Sequence, residues 1–390
     1  MKYFVIAGEA SGDYHASRLM QQLKERDPEA DFRFIGGDAM LQESPFQLMH
    51  YKDLAYMGFV QVMLHLSTIM QGMKLCKKKI GDYCPDALIL VDYPGFNLNI
   101  AKWARKHLPA TKIYYYISPK IWAWKEYRLK AIRRDVDAVL SILPFEVDWY
   151  RQRGYDKVYY VGNPSMEEVL PLLSVPKEEV RRDQQYVLLV PGSRKAEVRD
   201  NLRIMLAATR EMNMPRLIAG APGLSAEFYA EVLERIGKGN DSVEVVFGKT
   251  HSLMRHAQVA AVTSGTAALE ASLLDCPQVV CYNFKGGMLV YSIMHWVLRK
   301  ISFVTLPNLI RYGLGGGAQI NERQAFVCEL LGPYLSAKSL RREMEDLLAD
   351  RDGKRQKQLE GNAEVRARLD LEHKNAPQVA AQCIVQLLKQ

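Results

Sequence analysis

Lys2-Tyr3-Phe4-Val5-Ile6-Ala7-Gly8-Glu9-Ala10-Ser11-Gly12-Asp13 opens the chain, and its reading decides the fold. The apolar run 3–7 is too short for a signal-peptide core and has the length of a buried strand. Gly8, Ala10 and Gly12 then leave room for a ligand or another backbone to approach closely. Ser11 or Asp13 is placed to start a helix carrying Leu19 and Leu23. A strand, a turn of small residues and a helix make the first step of a parallel α/β unit, in which ligands gather at the carboxyl ends of the strands. Residues 8–13 are therefore expected to line a cleft. The spacing is not G-x-G-x-x-G, and Glu9 and Asp13 would repel a pyrophosphate set directly against them. The competing reading is a turn that merely requires small residues.

Similar runs recur along the chain, each closed by Gly, Pro, Ser or Asp and separated by segments of helical period. In the first half they occupy 3–7, 32–35, 87–91, 112–117, 138–143 and 158–161. In the second they occupy 186–190, 216–219, 243–247, 259–262 and 278–282, with a sixth candidate at 303–306. The polar stretch 163–185, with Pro164, Pro171 and Pro176, separates the sets. The predicted class is α/β: two facing Rossmann-like domains with parallel sheets, at 1–164 and 185–335. C-terminal helices at 336–390 pack back on the first domain or exchange in a dimer. A length of 390 residues suffices for two hydrophobic cores.

A formal charge of +8 favours an anionic partner: nucleic acid, an acidic membrane surface or a phosphorylated substrate. The six cysteines form no C-x-x-C pair, which fits a reduced, cytoplasmic protein without structural zinc. No apolar run reaches the ~18 residues of a membrane span.

Three further strand ends carry chemistry. Leu90-Val91-Asp92-Tyr93-Pro94-Gly95 places a carboxylate at the mouth of a central strand. Asp92 is the best candidate general base, since partial burial would raise it above the ~3.9 of a free aspartate. The alternative is an aspartate capping the next turn, and His15 is a competing base. Pro191-Gly192-Ser193-Arg194-Lys195 combines a turn, a helix start and two cations, which suits a pyrophosphate leaving with negative charge. Ser264, Gly265 and Thr266 form a second phosphate-cradling turn. Glu270, one helical turn on, could accept from ribose hydroxyls or serve as a capping or surface glutamate. Asp135-Val136-Asp137 precedes a strand, on the side away from ligands, and is discounted as a metal site.

Segment 57–79 joins an apolar series that includes Val60, Met63 and Leu66 to a basic end with Lys77, Lys78 and Lys79. That pattern suits a helix lying on an anionic bilayer or, equally, a packed amphipathic helix with a basic tip. Segment 288–300 raises the same question. Trp122 and Trp124 with Lys120, Lys125 and Arg128 form another basic, amphipathic rim.

Taken together, these motifs resemble the lipid-A-disaccharide synthase family of GT-B-type glycosyltransferases. The likeness runs from residue 3 to about residue 331. It rests on Ala7-Gly8-Glu9-Ala10-Ser11-Gly12-Asp13, Met57-Gly58, Ser118-Pro119 with Trp122-Ala123-Trp124, and Leu143-Pro144-Phe145-Glu146. It extends to Pro191-Gly192-Ser193-Arg194, Ser264-Gly265-Thr266-Ala267-Ala268-Leu269-Glu270 and Leu306-Pro307-Asn308-Leu309. The resemblance implies an inverting transfer from UDP-2,3-diacylglucosamine to 2,3-diacylglucosamine 1-phosphate, giving a β-1,6 disaccharide and UDP. It implies Asp92 as base and Arg194, Ser193, Ser264, Gly265, Thr266, Glu270 and Asn308 on the UDP side. Gly8, Glu9, Ser11, Gly12 and Asp13 then shape the acceptor side.

The same resemblance implies no metal or other cofactor, no nucleic-acid partner, a homodimer, and peripheral contact with the cytoplasmic face of the inner membrane. Two departures stand out. Gly95 occupies the place of a second family acid, and glycines 313 and 315–317 lengthen the loop after Asn308, with Gly332 where a glutamine is usual. The nearest rival is a UDP-sugar 2-epimerase of the same architecture. A non-catalytic binder of anionic membranes or nucleic acid would leave the strand-end clusters unexplained.

Overall fold

The computed structural model describes residues 1–54, 66–123, 125–175, 185–237, 243–283, 303–314, 325–371 and 374–390. The chain divides into two compact units, Met1–Pro164 with Leu371–Gln390, and Ser165–Asp370.

In the first unit seven parallel strands are ordered β3-β2-β1-β4-β5-β6-β7. They are β1 Lys2–Ala7, β2 Asp31–Gly36, β3 Gln47–His50, β4 Ala87–Val91, β5 Lys112–Tyr116, β6 Ala138–Ser141 and β7 Val158–Tyr160. Every residue of β4 is buried, as a central parallel strand covered on both faces requires. The chain winds outward in both directions from the β1–β4 pair, where Ala7 lies opposite Val91. That reversal opens a crevice at the carboxyl ends of the two strands. Strand β3 escapes a sequence reading because Gln47-Leu48-Met49-His50 has no apolar run; it is a half-buried edge strand.

In the second unit six parallel strands are ordered β10-β9-β8-β11-β12-β13. They are β8 Val187–Val190, β9 Arg216–Gly220, β10 Val243–Phe247, β11 Val259–Thr263, β12 Gln278–Tyr282 and β13 Cys328–Leu331. The reversal here falls between β8 and β11, with Val190 opposite Val262.

The expected strand at 303–306 is corrected. Leu306 begins the helix Leu306–Tyr312, with Pro307 in its first turn, and the sixth strand is β13. Val304 and Thr305 donate their N–H groups to the Glu329 carboxylate at 2.9 and 3.0 Å instead of to a ladder. Glu329 also explains why β13 was overlooked, since a charge interrupts its short apolar run.

The C-terminal helices serve both units. Leu340, Met344 and Leu347 of the helix Ala337–Leu348 join the second core. In the helix Lys354–Leu369, buried Gln358 accepts from the Gln278 N–H at 2.6 Å and donates to the Gln278 carbonyl at 3.0 Å. The last helix, Ala376–Leu388, returns to the first unit, where Ala380, Ala381, Ile384 and Val385 pack in the core containing Tyr3, Leu19 and Leu23. The connection expected at 163–185 is helical over Pro164–Leu173, within the second unit.

Candidate active site

At the carboxyl ends of β4 and β5 the backbone is held in uncommon conformations. Asp92 and Tyr93 have φ of 45° and 49°, and Ile117, just past β5, has φ of 58°. Left-handed geometry costs a non-glycine residue, a β-branched one above all, and it persists only where the surroundings enforce it. Here they do. The Asp92 carbonyl accepts from the Tyr115 hydroxyl at 2.6 Å and from Asn97 Nδ2 at 2.8 Å, and the Asp92 N–H donates to the Tyr116 carbonyl. The Tyr93 ring covers Gly8 so closely that a β-carbon on Gly8 would collide with it, which fixes the β1 and β4 turns against each other.

The Asp92 carboxyl is pushed up to about 6, first by burial and then by the negative charge of Glu9. Lys120 opposes the shift. A side-chain hydrogen bond with Glu9 adds to the upward push on Asp92. Ser11 Oγ donates to Glu9 Oε1 at 3.0 Å and holds it there. This acid pair joins residues 83 positions apart and so left no signal in local spacing. At Gly95, a β-carbon would meet nothing within 4 Å. His15, the rival base, is lowered to about 4 by burial, which leaves it neutral and weakly basic.

Of the five residues expected on the acceptor-side loop, only Glu9 and Ser11 are exposed; Gly8, Gly12 and Asp13 are buried. Asp13 is a correction. Its carboxylate accepts from the N–H groups of Gly37 (2.6 Å), Ala39 (3.0 Å) and Met40 (3.2 Å). It therefore satisfies the amino end of the helix Asp38–Glu43 across the sheet, and does not start its own helix, which runs from Ala10 to Arg26.

Beside Asp92 lies a cavity of about 460 Å³ lined in part by Ser118, Lys120, Lys125, Arg128 and Glu146. Glu146 is fully buried, accepts from Trp122 Nε1 at 2.8 Å and from the Ser141 hydroxyl, and is raised by burial to about 7. Trp122 thus faces the interior, correcting its expected place on an amphipathic rim; Trp124 lies outside the described residues. The discounted Asp137 accepts from Arg105 at 2.6 Å and from the Ile113 N–H at 2.7 Å.

In the second unit a cavity of about 790 Å³ opens at the ends of β8, β10 and β11, and Ser193, Ser264, Gly265, Thr266 and Glu270 all line it. Gly192, with φ of 115°, could not be another residue, because a β-carbon would lie 2.8 Å from Glu197 Oε2. That carboxylate receives the Ser193 N–H at 3.3 Å. Asn201, buried, donates to the Pro191 carbonyl at 3.2 Å and to Thr263 Oγ1 at 2.9 Å, tying the β8 turn to the β11 turn. Arg194 is 82% exposed, with Glu197 at 3.3 Å. Lys195 lies over the Phe228 ring, 5.6 Å from its centroid, so the expected second pyrophosphate cation is turned aside.

Glu270 Oε2 lies 3.0 Å from His251 Nε2, and this hydrogen bond raises the imidazole above its usual value. Glu168 joins them, with ligand atoms of all three within 4.8 Å of one another, the one such group among the described residues. His251 was passed over in the sequence although it follows the end of β10, where the strand-end rule would have found it. Asn308 is a correction. It is fully buried and holds β13, donating to the Val327 carbonyl (2.9 Å) and Glu329 Oε1 (2.8 Å) and accepting from the Val327 N–H (3.2 Å). Both amide hydrogens are thus engaged within the fold.

Of the membrane-facing candidates, Val60 and Met63 lie outside the described residues, as do 288–300. Lys77, Lys78 and Lys79 sit on the helix Leu66–Tyr83, which buries Cys76, Ile80 and Tyr83 and exposes Lys74, Lys78 and Lys79. Among the described residues no helix is long and apolar enough to cross a membrane.

Two Rossmann-like units with small, hydroxyl-bearing turns at the strand ends give this chain the GT-B fold. In structure it resembles the calicheamicin glycosyltransferase CalG4 (TM-score 0.58, 14% identity, covering 100% of this chain and 98% of that one). It also resembles the UDP-GlcNAc 2-epimerase of Neisseria meningitidis bound to UDP-GlcNAc (TM-score 0.55, 13% identity, 100% of both chains). At such identities the likeness concerns the fold alone. The chain belongs to the Lipid-A-disaccharide synthetase family, which it matches over residues 3–384. It is 33% identical to the lipid-A-disaccharide synthase of Myxococcus xanthus over 399 aligned residues, covering 99% of this chain and 97% of that protein. It is 35% identical to that of Trichlorobacter lovleyi, covering 79% and 81%. The epimerase reading is not favoured.

Proposed function

We propose that the protein transfers 2,3-diacylglucosamine from its UDP derivative to the 6-hydroxyl of 2,3-diacylglucosamine 1-phosphate, with inversion at the anomeric carbon. The observation that carries this reading is the Asp92 carboxyl, raised to about 6 beside Glu9 and held by a clamped left-handed turn. Asp92 takes the proton of the attacking hydroxyl as the new C–O bond forms at the anomeric carbon. The bond from that carbon to the diphosphate breaks, and UDP leaves with the electron pair. Backbone N–H groups at the starts of the helices Lys195–Thr209 and Thr266–Leu273, with Arg194, receive its charge. Glu270, oriented by His251, accepts from the ribose hydroxyls. Asn308 acts one step back, by holding β13.

The donor side is tested by titrating UDP calorimetrically. Glu270→Ala is expected to raise the Kd about 10-fold or more, the worth of a hydrogen bond to a charged group. An unchanged Kd would remove Glu270 from the nucleotide site.

Acylated substrates reside in a bilayer, so we further propose that the enzyme works at the cytoplasmic face of the inner membrane through the basic end of the helix Leu66–Tyr83. Sedimentation with phosphatidylglycerol vesicles at moderate salt should weaken when Lys77, Lys78 and Lys79 are each replaced by Glu. Indifference to those changes would move the membrane face elsewhere.

A further inference from the structure

The cavity beside Asp92 gathers positive side chains. Lys120, Lys125 and Arg128 line it, and the acids in its wall are Asp92 and Glu146. Glu146 is engaged by Trp122 and Ser141 deep in the wall. Three arginines of the same unit have a carboxylate close by: Arg105 with Asp137 at 2.6 Å, Arg134 with Asp135 at 2.6 Å, and Arg153 with Glu126 at 2.7 Å. Glu126, two residues before Arg128, is thus taken by Arg153. Lys120 and Arg128 form no salt bridge among the described residues.

A half-enclosed pocket that brings Lys120 and Arg128 together outside any salt bridge among the described residues is suited to a ligand carrying two negative charges. A phosphate monoester is such a ligand, and it is matched by a guanidinium fork and an ammonium point charge. The volume, about 460 Å³, admits a phosphorylated sugar end but not a whole acylated sugar.

We propose that Lys120 and Arg128, with Lys125 at the rim, form the subsite for the phosphate monoester of the acceptor, beside the general base. This rests on the reading of the function given above and extends it to acceptor specificity. Binding the phosphate here would fix one end of the acceptor sugar and so help to place its hydroxyl at Asp92. It would also exclude acceptors that lack the phosphate.

The test compares two acceptors, 2,3-diacylglucosamine 1-phosphate and the same sugar without its phosphate, in the wild type and in Lys120→Gln, Arg128→Gln and Arg128→Lys. For the phosphorylated acceptor, KM should rise about 10-fold or more in each Gln variant and less in Arg128→Lys. For the unphosphorylated acceptor, wild type and variants should be alike, all weak. Kd for UDP should not move, and a matching melting temperature would show that the variants fold.

Equal losses on both acceptors, or no loss on either, would overturn the proposal. So would variants that keep the discrimination but no longer sediment with phosphatidylglycerol vesicles, since the cations would then serve lipid head groups. Absence of any disaccharide from wild type would overturn the functional reading itself. Disaccharide formation with unaltered discrimination in the variants would overturn only the subsite.

Discussion

Asp92→Ala is expected to lower disaccharide formation by roughly 10²- to 10⁴-fold, the usual contribution of a positioned general base, while UDP binding is unchanged. The second half follows because the groups proposed to hold UDP all belong to the other unit. The pH profile carries a sharper form of the same expectation. Only the ionised carboxylate can accept a proton, so the wild-type rate should fall about tenfold per unit as pH drops below about 6. Glu9 raises that value by its charge, so Glu9→Gln should move the acid limb to lower pH. The displacement of that limb by Glu9→Gln is the informative quantity. Full activity in Asp92→Ala, or an acid limb that ignores Glu9, would remove Asp92 as the base.

The second large effect is on stability. Asp13→Ala should cost roughly 3–5 kcal/mol, because three backbone N–H groups at the helix Asp38–Glu43 lose their acceptor in a buried setting. Urea unfolding measures this directly. A loss below about 1 kcal/mol, with activity abolished in a fully folded protein, would return Asp13 to the acceptor site.

These two aspartates show what could be read from the sequence and what could not. Strand ends are legible because a buried parallel strand needs a continuous apolar run and stops where small residues begin. Asp92 and, in the other unit, Ser193, Ser264 and Glu270 were singled out in that way and line cavities, and β4, β10 and β12 agree residue for residue with their expected runs. Partners brought together by the sheet are not legible. Glu9 reaches Asp92, Asp13 caps a helix 25 residues away, and His251 reaches Glu270 only because β1 adjoins β4, β1 adjoins β2, and the helix Thr250–His256 meets the helix Thr266–Leu273 in the finished fold.

Two of the four edge strands fail for a different reason, while β7 and β10 were legible. β3 and β13 are half-exposed and carry polar residues, so their periodicity is weak. Asn308 was placed on the UDP side by the family resemblance alone. Its amide is in fact spent on the backbone of Val327 and on Glu329.

The central claim is a chemical one, and mass analysis of a single incubation tests it most directly. Purified protein mixed with UDP-2,3-diacylglucosamine and 2,3-diacylglucosamine 1-phosphate should yield the β-1,6-linked disaccharide 1-phosphate and an equal amount of UDP. Recovery of both sugars unchanged, or of a 2-epimerised UDP-sugar with no disaccharide, would contradict it.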